Sequence, residues 1–292
     1  MQNATPLAIA VLGLELVPAI IFGFAAEAVA RAVQRWPRWV RIVVPVGLAV
    51  PYVLIAASWH MLRWQWFALF AAMPVAMAWL LSQAAAADPE QRGNWRDALI
   101  LLALGLAVDL RWFESAWPAG LRALNELLLV DMGLYGFLAI RQLEGTGFDF
   151  HLKWSDAKAG LRELLFFAPA VLLLGLALGF IHPHGNSPAV WKAVLTWIGI
   201  FFFTAVPEEL FFRAWVQNLL ERRVGRRAAL VIASVLFGLS HFNKRSAHFN
   251  WRYVILATIA GIFYGRAWRE NRRVPASAIT HASVDWLWSW WF

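Results

Sequence analysis

The chain of 292 residues contains no cysteine and few charged residues. Without cysteine it has no disulfide, no thiolate nucleophile and no cysteine-ligated metal. Charged residues make up 15% of the chain, whereas about a quarter of a soluble domain is charged. Hydrophobic residues make up 61%, so few polar residues remain to coat a soluble fold. This composition excludes disordered, collagen-like and disulfide-scaffold proteins, and it favours a membrane protein.

Apolar runs of about 20 residues, the length that crosses a bilayer, recur along the whole chain. The candidate runs are residues 7–30, 42–61, 64–83, 98–113, 121–140, 164–181, 190–220, 228–242, 253–268 and 274–292. Since several runs are short or contain charges, we expect about eight to ten spans. The sequence therefore predicts an all-α fold, a polytopic transmembrane helix bundle.

The 26 lysines and arginines test this map, because the cytoplasmic loops of membrane proteins carry an excess of these residues. If the N-terminal end lies outside, most of them fall into inner loops. Those loops lie around residues 31–41, 92–96, 141–162, 222–227 and 266–273. The net charge of +8 is thus spread over short, separate loops. A nucleic-acid partner, which needs one continuous basic face, is not expected.

A polar stretch at residues 143–163 divides the chain. We expect residues 1–160 to form a transmembrane region of unknown role, since they contain no recognisable chemistry. Residues 161–292 are expected to form a transmembrane core that carries the chemistry. Ionisable groups inside a bilayer are energetically costly, so those between residues 191 and 292 are candidates for a structural or functional role.

The first pattern of such groups is Pro-Glu-Glu-Leu-Phe-Phe-Arg, residues 207–213. Glu209 and Arg213 are four residues apart on a helix and can form an ion pair. Glu208 points about 100° away from Glu209, so one arginine cannot serve both carboxylates equally. Glu208 is therefore a candidate general base. The alternative is a purely structural Glu–Arg clamp.

Two further patterns follow on the next helices. Phe237 and His241 form F-x-x-x-H, and His281 and Asp285 form H-x-x-x-D. Because His281 and Asp285 share a helix face, the carboxylate can orient the imidazole, or both can face a common ligand. Each pattern alone is also compatible with a hydrogen-bonded packing residue.

The depths of these groups connect the three patterns. Glu208 and His241 each lie 14 residues from the nearest inner-loop arginine, about 21 Å along a helix. His281 and Asp285 lie about 12 and 18 Å from Arg273. A carboxylate, two histidines and an aspartate at similar depth predict a site that activates water. These four residues could hold Zn²⁺. A glutamate base without any cofactor is the alternative, if the histidines and Asp285 stabilise an oxyanion.

The order E-E-x-x-x-R, F-x-x-x-H and H-x-x-x-[N/D] resembles the CPBP (Abi) family of intramembrane endopeptidases, which includes the type II CAAX prenyl endopeptidase. The resemblance covers residues 191–292, and it implies that residues 161–292 are a protease core. It also implies that Glu208 activates water and that His241 assists. The other implied roles are carbonyl polarisation for His281 and Asp285, and support for Glu209, Arg213 and Phe237.

Asp285 departs from the members of that family that have asparagine at this position. An aspartate carboxylate cannot donate the hydrogen bond that an amide donates to an oxyanion. The departure favours a role for Asp285 as a metal ligand or in orienting His281.

The resemblance implies a membrane-embedded endopeptidase that hydrolyses a peptide bond of a membrane-associated protein or peptide. Two alternatives remain open: a polytopic transporter whose buried acids carry protons, and a catalytically silent membrane scaffold or immunity protein. The 22 arginines against 4 lysines are typical of a bacterium with a GC-rich genome. We therefore expect an integral protein of the bacterial cytoplasmic (inner) membrane, surrounded by the lipid bilayer.

Overall fold

The computed structural model of the protein describes residues 5–185, 188–244 and 248–292. No β-strand occurs among these residues, which form helices and short connections, so the predicted all-α class is confirmed. The chain divides into two compact units, Met1–Glu144 and Gly145–Phe292. The expected division at residue 160 concerns function and stays a prediction.

Prolines lie at the starts of the first helical segments of the first unit. Its described α-helices are α1 (Pro6–Gln34), α2 (Arg38–Val43), α3 (Val50–Ser58), α4 (Trp64–Ala87), α5 (Trp95–Asp109) and α6 (Ala123–Leu134). A 3₁₀ segment, Val44–Ala49, joins α2 to α3, and a π-helical segment, Tyr135–Ile140, extends α6. Pro45 and Pro51 each lie at the start of a segment, where the missing N–H breaks no helical hydrogen bond.

The second unit carries all three motifs. Its described α-helices are α7 (Trp154–Ala177), α8 (Val190–Ile200), α9 (Val206–Glu209), α10 (Asn218–Leu239), α11 (Trp251–Asn271) and α12 (Val274–Trp291). The π-helical segments Phe201–Ala205 and Leu210–Gln217 connect α8, α9 and α10 into one helical run. That run is interrupted only at Gly225 among its described residues, with a φ of 79° that glycine tolerates.

Six stretches of the described chain are long and apolar enough to cross a membrane. They are Pro6–Gln34, Arg38–Ser58, Trp64–Ala87, Ala123–Ile140, Trp154–Ala177 and Val190–Leu239. The last of them contains the break at Gly225 and so comprises two of the predicted runs. The protein is thus an integral, multi-pass membrane protein. The total of eight to ten spans stays a prediction, because α5 has only 15 residues and α11 carries several charges.

Two glycines allow the helices of the second unit to approach each other closely beside the motifs. A Cβ atom at Gly238 would lie 1.9 Å from Thr258 Oγ1 and 2.6 Å from the Val254 carbonyl oxygen, so only glycine lets α10 pack here against α11. A Cβ atom at Gly160 would lie 2.7 Å from the Ala276 carbonyl oxygen, where α7 meets α12. These contacts set the spacing of the helices that carry the second and third motifs.

Arg273 anchors the start of α12. Its guanidinium donates to Asp156 Oδ1 at 2.8 Å, to Asp149 Oδ2 at 2.6 Å and to the His151 carbonyl oxygen at 2.7 Å. Burial by itself raises the pKa of the Asp149 carboxyl. Hydrogen bonds from Arg273 and His151 outweigh that effect and bring the pKa down to about 2. The carboxylate therefore stays charged at neutral pH, and the loop before α7 remains tied to the helix that carries the third motif.

The basic loops predict the membrane orientation, which cysteine labelling can test in this cysteine-free chain. Gly185 is exposed, with nothing within 4 Å of the position of an added Cβ atom, and Arg226 is also exposed. We expect an impermeant maleimide to label Gly185→Cys in intact cells and Arg226→Cys only after permeabilisation. Labelling of both after permeabilisation is the control. The opposite pattern in intact cells would invert the orientation.

Candidate active site

Glu208 and Glu209 end α9, which has only four residues and lies between two π-helical segments. Single π turns inside α-helices are frequent at functional sites. Because consecutive helical residues point about 100° apart, the two carboxylates have different surroundings. The side chain of Glu209 is fully buried, whereas that of Glu208 is 24% exposed.

Glu209 holds two helices together. Its Oε2 accepts a hydrogen bond from Arg213 Nε at 2.8 Å, and its Oε1 accepts one from His281 Nδ1 at 3.0 Å. The pair of Glu209 and Arg213 expected from the i,i+4 spacing is therefore present. The Arg213 guanidinium also lies over the Phe237 ring, 5.2 Å from its centroid. Glu209 thus acts as a buried acceptor that positions a histidine from α12.

Glu208 has looser contacts and faces the third motif. Its Oε1 lies 3.6 Å from Lys244 Nζ, and its Oε2 lies 4.0 Å from His281 Nε2. Within the described residues Oε2 is buried and accepts no hydrogen bond. This oxygen is therefore the carboxylate atom that can accept a proton from a bound water molecule.

The imidazole ring of His281 has contacts at both of its nitrogens and on one face. Since a carboxylate can only accept, the contact with Glu209 places a proton on Nδ1. The opposite nitrogen, Nε2, lies 3.5 Å from Asp285 Oδ2. The Tyr264 ring stacks on the imidazole at 4.6 Å with an interplanar angle of 16°. The edge of Phe237 packs at 5.6 Å. The imidazole is therefore held in one orientation with Nε2 directed towards carboxylates.

His241 ends the second motif with its ring orientation also defined. Its Nδ1 lies 2.8 Å from the Phe237 carbonyl oxygen, which can only accept, so Nδ1 carries the proton. The remaining ring nitrogen, Nε2, then has a lone pair. The Tyr253 ring packs edge-on against this imidazole at 4.7 Å, and the Phe237 ring lies at 4.9 Å. Phe237 thus contacts both histidines and separates their rings.

A cavity of about 290 Å³ opens beside these groups. His241, His281 and Asp285 line it together with mostly aromatic and aliphatic side chains, including Tyr253 and Trp288. A largely apolar cavity with a few convergent polar groups is the usual form of a ligand-binding site. Its apolar walls limit access of bulk water, which strengthens electrostatic interactions inside it.

The structure brings together the residues that the motifs singled out, on α9, the π-helical segment after it, α10 with the turn that follows it, and α12. Motif reading missed three contacts: Lys244 beside Glu208, Tyr264 stacked on His281 and Tyr253 against His241. Lys244 lies three residues after His241 in the turn that follows α10, and no helical spacing indicated its contact with Glu208. The two tyrosines lie on α11, which carries none of the motifs, and no sequence pattern indicated them.

The residues that the sequence proposed as zinc ligands do not form a metal-binding group in the described structure. Among residues 5–185, 188–244 and 248–292, no group of three or more histidine, aspartate or glutamate side chains is placed to hold a metal ion. Glu208 and Asp285 do both lie within 4.0 Å of His281 Nε2. In addition, the Lys244 ammonium lies 3.6 Å from Glu208, where it would repel a metal cation. This ammonium disfavours zinc at Glu208, and no step proposed below uses a metal.

We therefore expect the purified protein to contain much less than one equivalent of zinc and to keep its activity after chelation. Metal analysis of the wild type beside His241→Ala and His281→Ala tests this expectation. One full equivalent in the wild type, lost in both variants, would instead establish the four-ligand site.

Part of the second unit is similar to a known protein family. Residues 189–287 match the family model described as type II CAAX prenyl endopeptidase Rce1-like. Neither a curated protein nor a solved structure matches the chain. The matched segment contains all three motifs, and the match indicates a CAAX-type peptidase of membranes. The relation that the motif order indicated is thereby confirmed: residues 189–287 of this chain are related to the CAAX protease family.

Proposed function

We propose that this protein is a membrane-embedded endopeptidase that hydrolyses a peptide bond of a membrane-associated protein or peptide. One observation carries the proposal. A partly exposed carboxylate, Glu208, lies within 4.0 Å of the ordered His281, and both His281 and His241 belong to groups around one largely apolar cavity. Such an arrangement suits the activation of water next to a bound peptide.

In the first step, Glu208 Oε2 accepts a proton from a water molecule whose oxygen attacks the scissile carbonyl carbon. A C–O bond forms, and the carbonyl oxygen becomes an oxyanion. His241 assists through the Nε2 lone pair, which accepts the second hydrogen bond of the water and orients it. A positioned general base of this kind accelerates such reactions by about 10² to 10⁴.

In the second step, the tetrahedral intermediate collapses. His281 Nε2, when protonated, donates to the oxyanion, and its orientation is maintained by Glu209 on Nδ1. Asp285, at 3.5 Å from Nε2, orients the ring and does not itself donate. The C–N bond breaks, and the amine leaves with the proton that Glu208 took from water. The base is thereby regenerated.

The peptidase core comprises residues 161–292. The side chains of residues 1–160 indicate no role for that region. The substrate reaches the cavity from the membrane, which agrees with the apolar helices around it. The high arginine content supports the cytoplasmic membrane of a bacterium as the location.

The test is a comparison of new protein N-termini and C-termini in membranes of cells that express the wild type or Glu208→Gln. We expect specific fragments in the wild type that are missing in the variant. Glu27→Gln, at a side chain that is 90% exposed in the first unit, is the matched control and should leave the fragments unchanged. Identical termini in all three strains would favour the silent scaffold. Proton-coupled uptake that depends on buried acids would favour the transporter.

A further inference from the structure

Arginines crowd the break of α10 at Gly225 and the end of α11, which the charge pattern places inside. Arg266, Arg269 and Arg272 recur every three residues at the end of α11. Burial lowers the pKa of the Arg269 guanidinium. The positive charges of Arg226, Arg272 and Arg266 lower it further, and Glu221 opposes them. Arg226, Arg266 and Arg272 therefore each repel the Arg269 guanidinium.

The acidic groups nearby do not balance this charge. Glu221 is the buried partner of two of the arginines, with Arg269 Nε at 3.3 Å and Arg272 Nη2 at 2.6 Å. Glu163 lies 3.0 Å from Arg266 Nε, but it is shared with Arg162 at 2.7 Å. Arg162 also pairs with Glu270. Two guanidinium groups thus meet at Glu221 and two at Glu163, and the five arginines of this group, with Arg162 and Arg226, exceed its three carboxylates.

One of these side chains, Arg272, also lies near a further arginine, Arg222, at the start of the second unit. An added Cβ atom at Gly145 would lie 3.6 Å from Arg272 Nη1 and 3.8 Å from Arg222 Nη2. The side chains of Arg266 and Arg272 are 49% and 43% exposed, so they are accessible from outside the helix bundle. The cluster is therefore an accessible, positively charged surface.

The surroundings of the cluster are those of a membrane boundary. Val224 is 47% exposed directly before Gly225, at which an added Cβ atom would have nothing within 4 Å. The helical run that contains both residues, Val190–Leu239, is of membrane-spanning composition. An exposed apolar side chain beside exposed arginines fits the level at which acyl chains meet headgroups.

We propose that Arg226, Arg266, Arg269 and Arg272 bind the phosphate group of an anionic phospholipid in the inner leaflet. Guanidinium groups match phosphate oxygens with paired hydrogen bonds. The cytoplasmic leaflet offers anionic headgroups at the level of this cluster. Binding would neutralise the excess charge that Glu221 and Glu163 leave. The inference does not depend on the peptidase reaction, since none of these residues touches the cavity or the motifs.

The experiment uses the full-length protein in nanodiscs of phosphatidylcholine with increasing fractions of phosphatidylglycerol, and it measures the unfolding temperature. We expect the wild type to be stabilised as the phosphatidylglycerol fraction rises. Each arginine near an anionic surface contributes about 1 kcal/mol, or roughly a fivefold change in affinity. Arg226→Gln should therefore need about five times more phosphatidylglycerol, and Arg226→Gln/Arg266→Gln about 25 times more.

Arg252→Gln is the matched control, because Arg252 is an exposed arginine at the opposite end of α11. It should respond to phosphatidylglycerol as the wild type does. The unfolding temperature in pure phosphatidylcholine shows whether each variant is folded, and the single variant Arg226→Gln changes only an exposed side chain. The proposal fails if phosphatidylglycerol stabilises the double variant as much as the wild type. It also fails if Arg252→Gln loses as much of this stabilisation as the double variant does. It also fails if inorganic phosphate, added to the protein in phosphatidylcholine discs, raises the unfolding temperature as much as phosphatidylglycerol does. The ligand would then be a free anion.

Discussion

Glu208→Gln is expected to lower peptide-bond hydrolysis by about 10² to 10⁴ and to leave the protein folded. Glutamine keeps the size of the side chain but cannot accept a proton from water. The wild-type carboxylate is partly exposed, and its Oε2 accepts no hydrogen bond within the described residues, so few native contacts are lost. Turnover of a substrate found by the comparison of protein termini measures the effect, and the unfolding temperature in detergent monitors the fold.

Glu270→Gln is a suitable second control, because Glu270 is a partly exposed glutamate of the same unit that is ion-paired with Arg162 away from the cavity. It should keep wild-type turnover. If Glu208→Gln retained full activity while remaining folded, Glu208 could not be the base. If both variants lost activity equally, the loss would reflect the fold of the unit rather than chemistry.

Glu209→Gln is expected to destabilise the second unit by about 3 to 5 kcal/mol, the typical cost of breaking a buried ion pair. Arg213 and Glu209 are both fully buried. The two terminal nitrogens of Arg213 have no hydrogen-bond partner within the described residues. Removal of the carboxylate charge leaves a buried cation without compensation. If the glutamine oxygen keeps the hydrogen bond from His281 Nδ1, its amide NH₂ faces Arg213 Nε, so the variant loses both the charge and the acceptor of that pair.

The double variant Glu209→Gln/Arg213→Met is the matched control for that loss. Methionine fills similar space without a charge, so the double variant should unfold at a higher temperature than Glu209→Gln alone. Thermal unfolding of both proteins in the same detergent measures the coupling. Equal stability of Glu209→Gln and the wild type would show that the ion pair contributes little. Similar residual activity in Glu208→Gln and Glu209→Gln would contradict their separate roles.

Contacts within one helix were predictable from spacing. The i,i+4 rule predicted the pair of Glu209 and Arg213, which lie 2.8 Å apart, and the proximity of His281 and Asp285, at 3.5 Å. The same helical geometry separated Glu208 from Glu209. These relations depend only on the rise and rotation per residue, which every α-helix shares.

Contacts between helices were not predictable in this way. The hydrogen bond from His281 to Glu209 joins residues 72 positions apart, and the stacking of Tyr264 on His281 brings in a helix without any motif. The position of Lys244 next to Glu208 depends on how the turn after α10 folds back. Similar depth in the membrane predicted that the motif residues are neighbours, but not which atoms meet.

The sequence by itself determined the fold class of the protein and singled out the candidate site residues. Composition and apolar runs require a helical membrane protein, because only helices and closed barrels satisfy backbone hydrogen bonds in lipid. Only the tertiary structure decided which carboxylate is fully buried against Arg213 and which one is partly exposed beside Lys244. The physical reason is that helical periodicity is local. The distances between helices depend on close approaches such as those at Gly238 and Gly160, and these arise only when the whole unit packs.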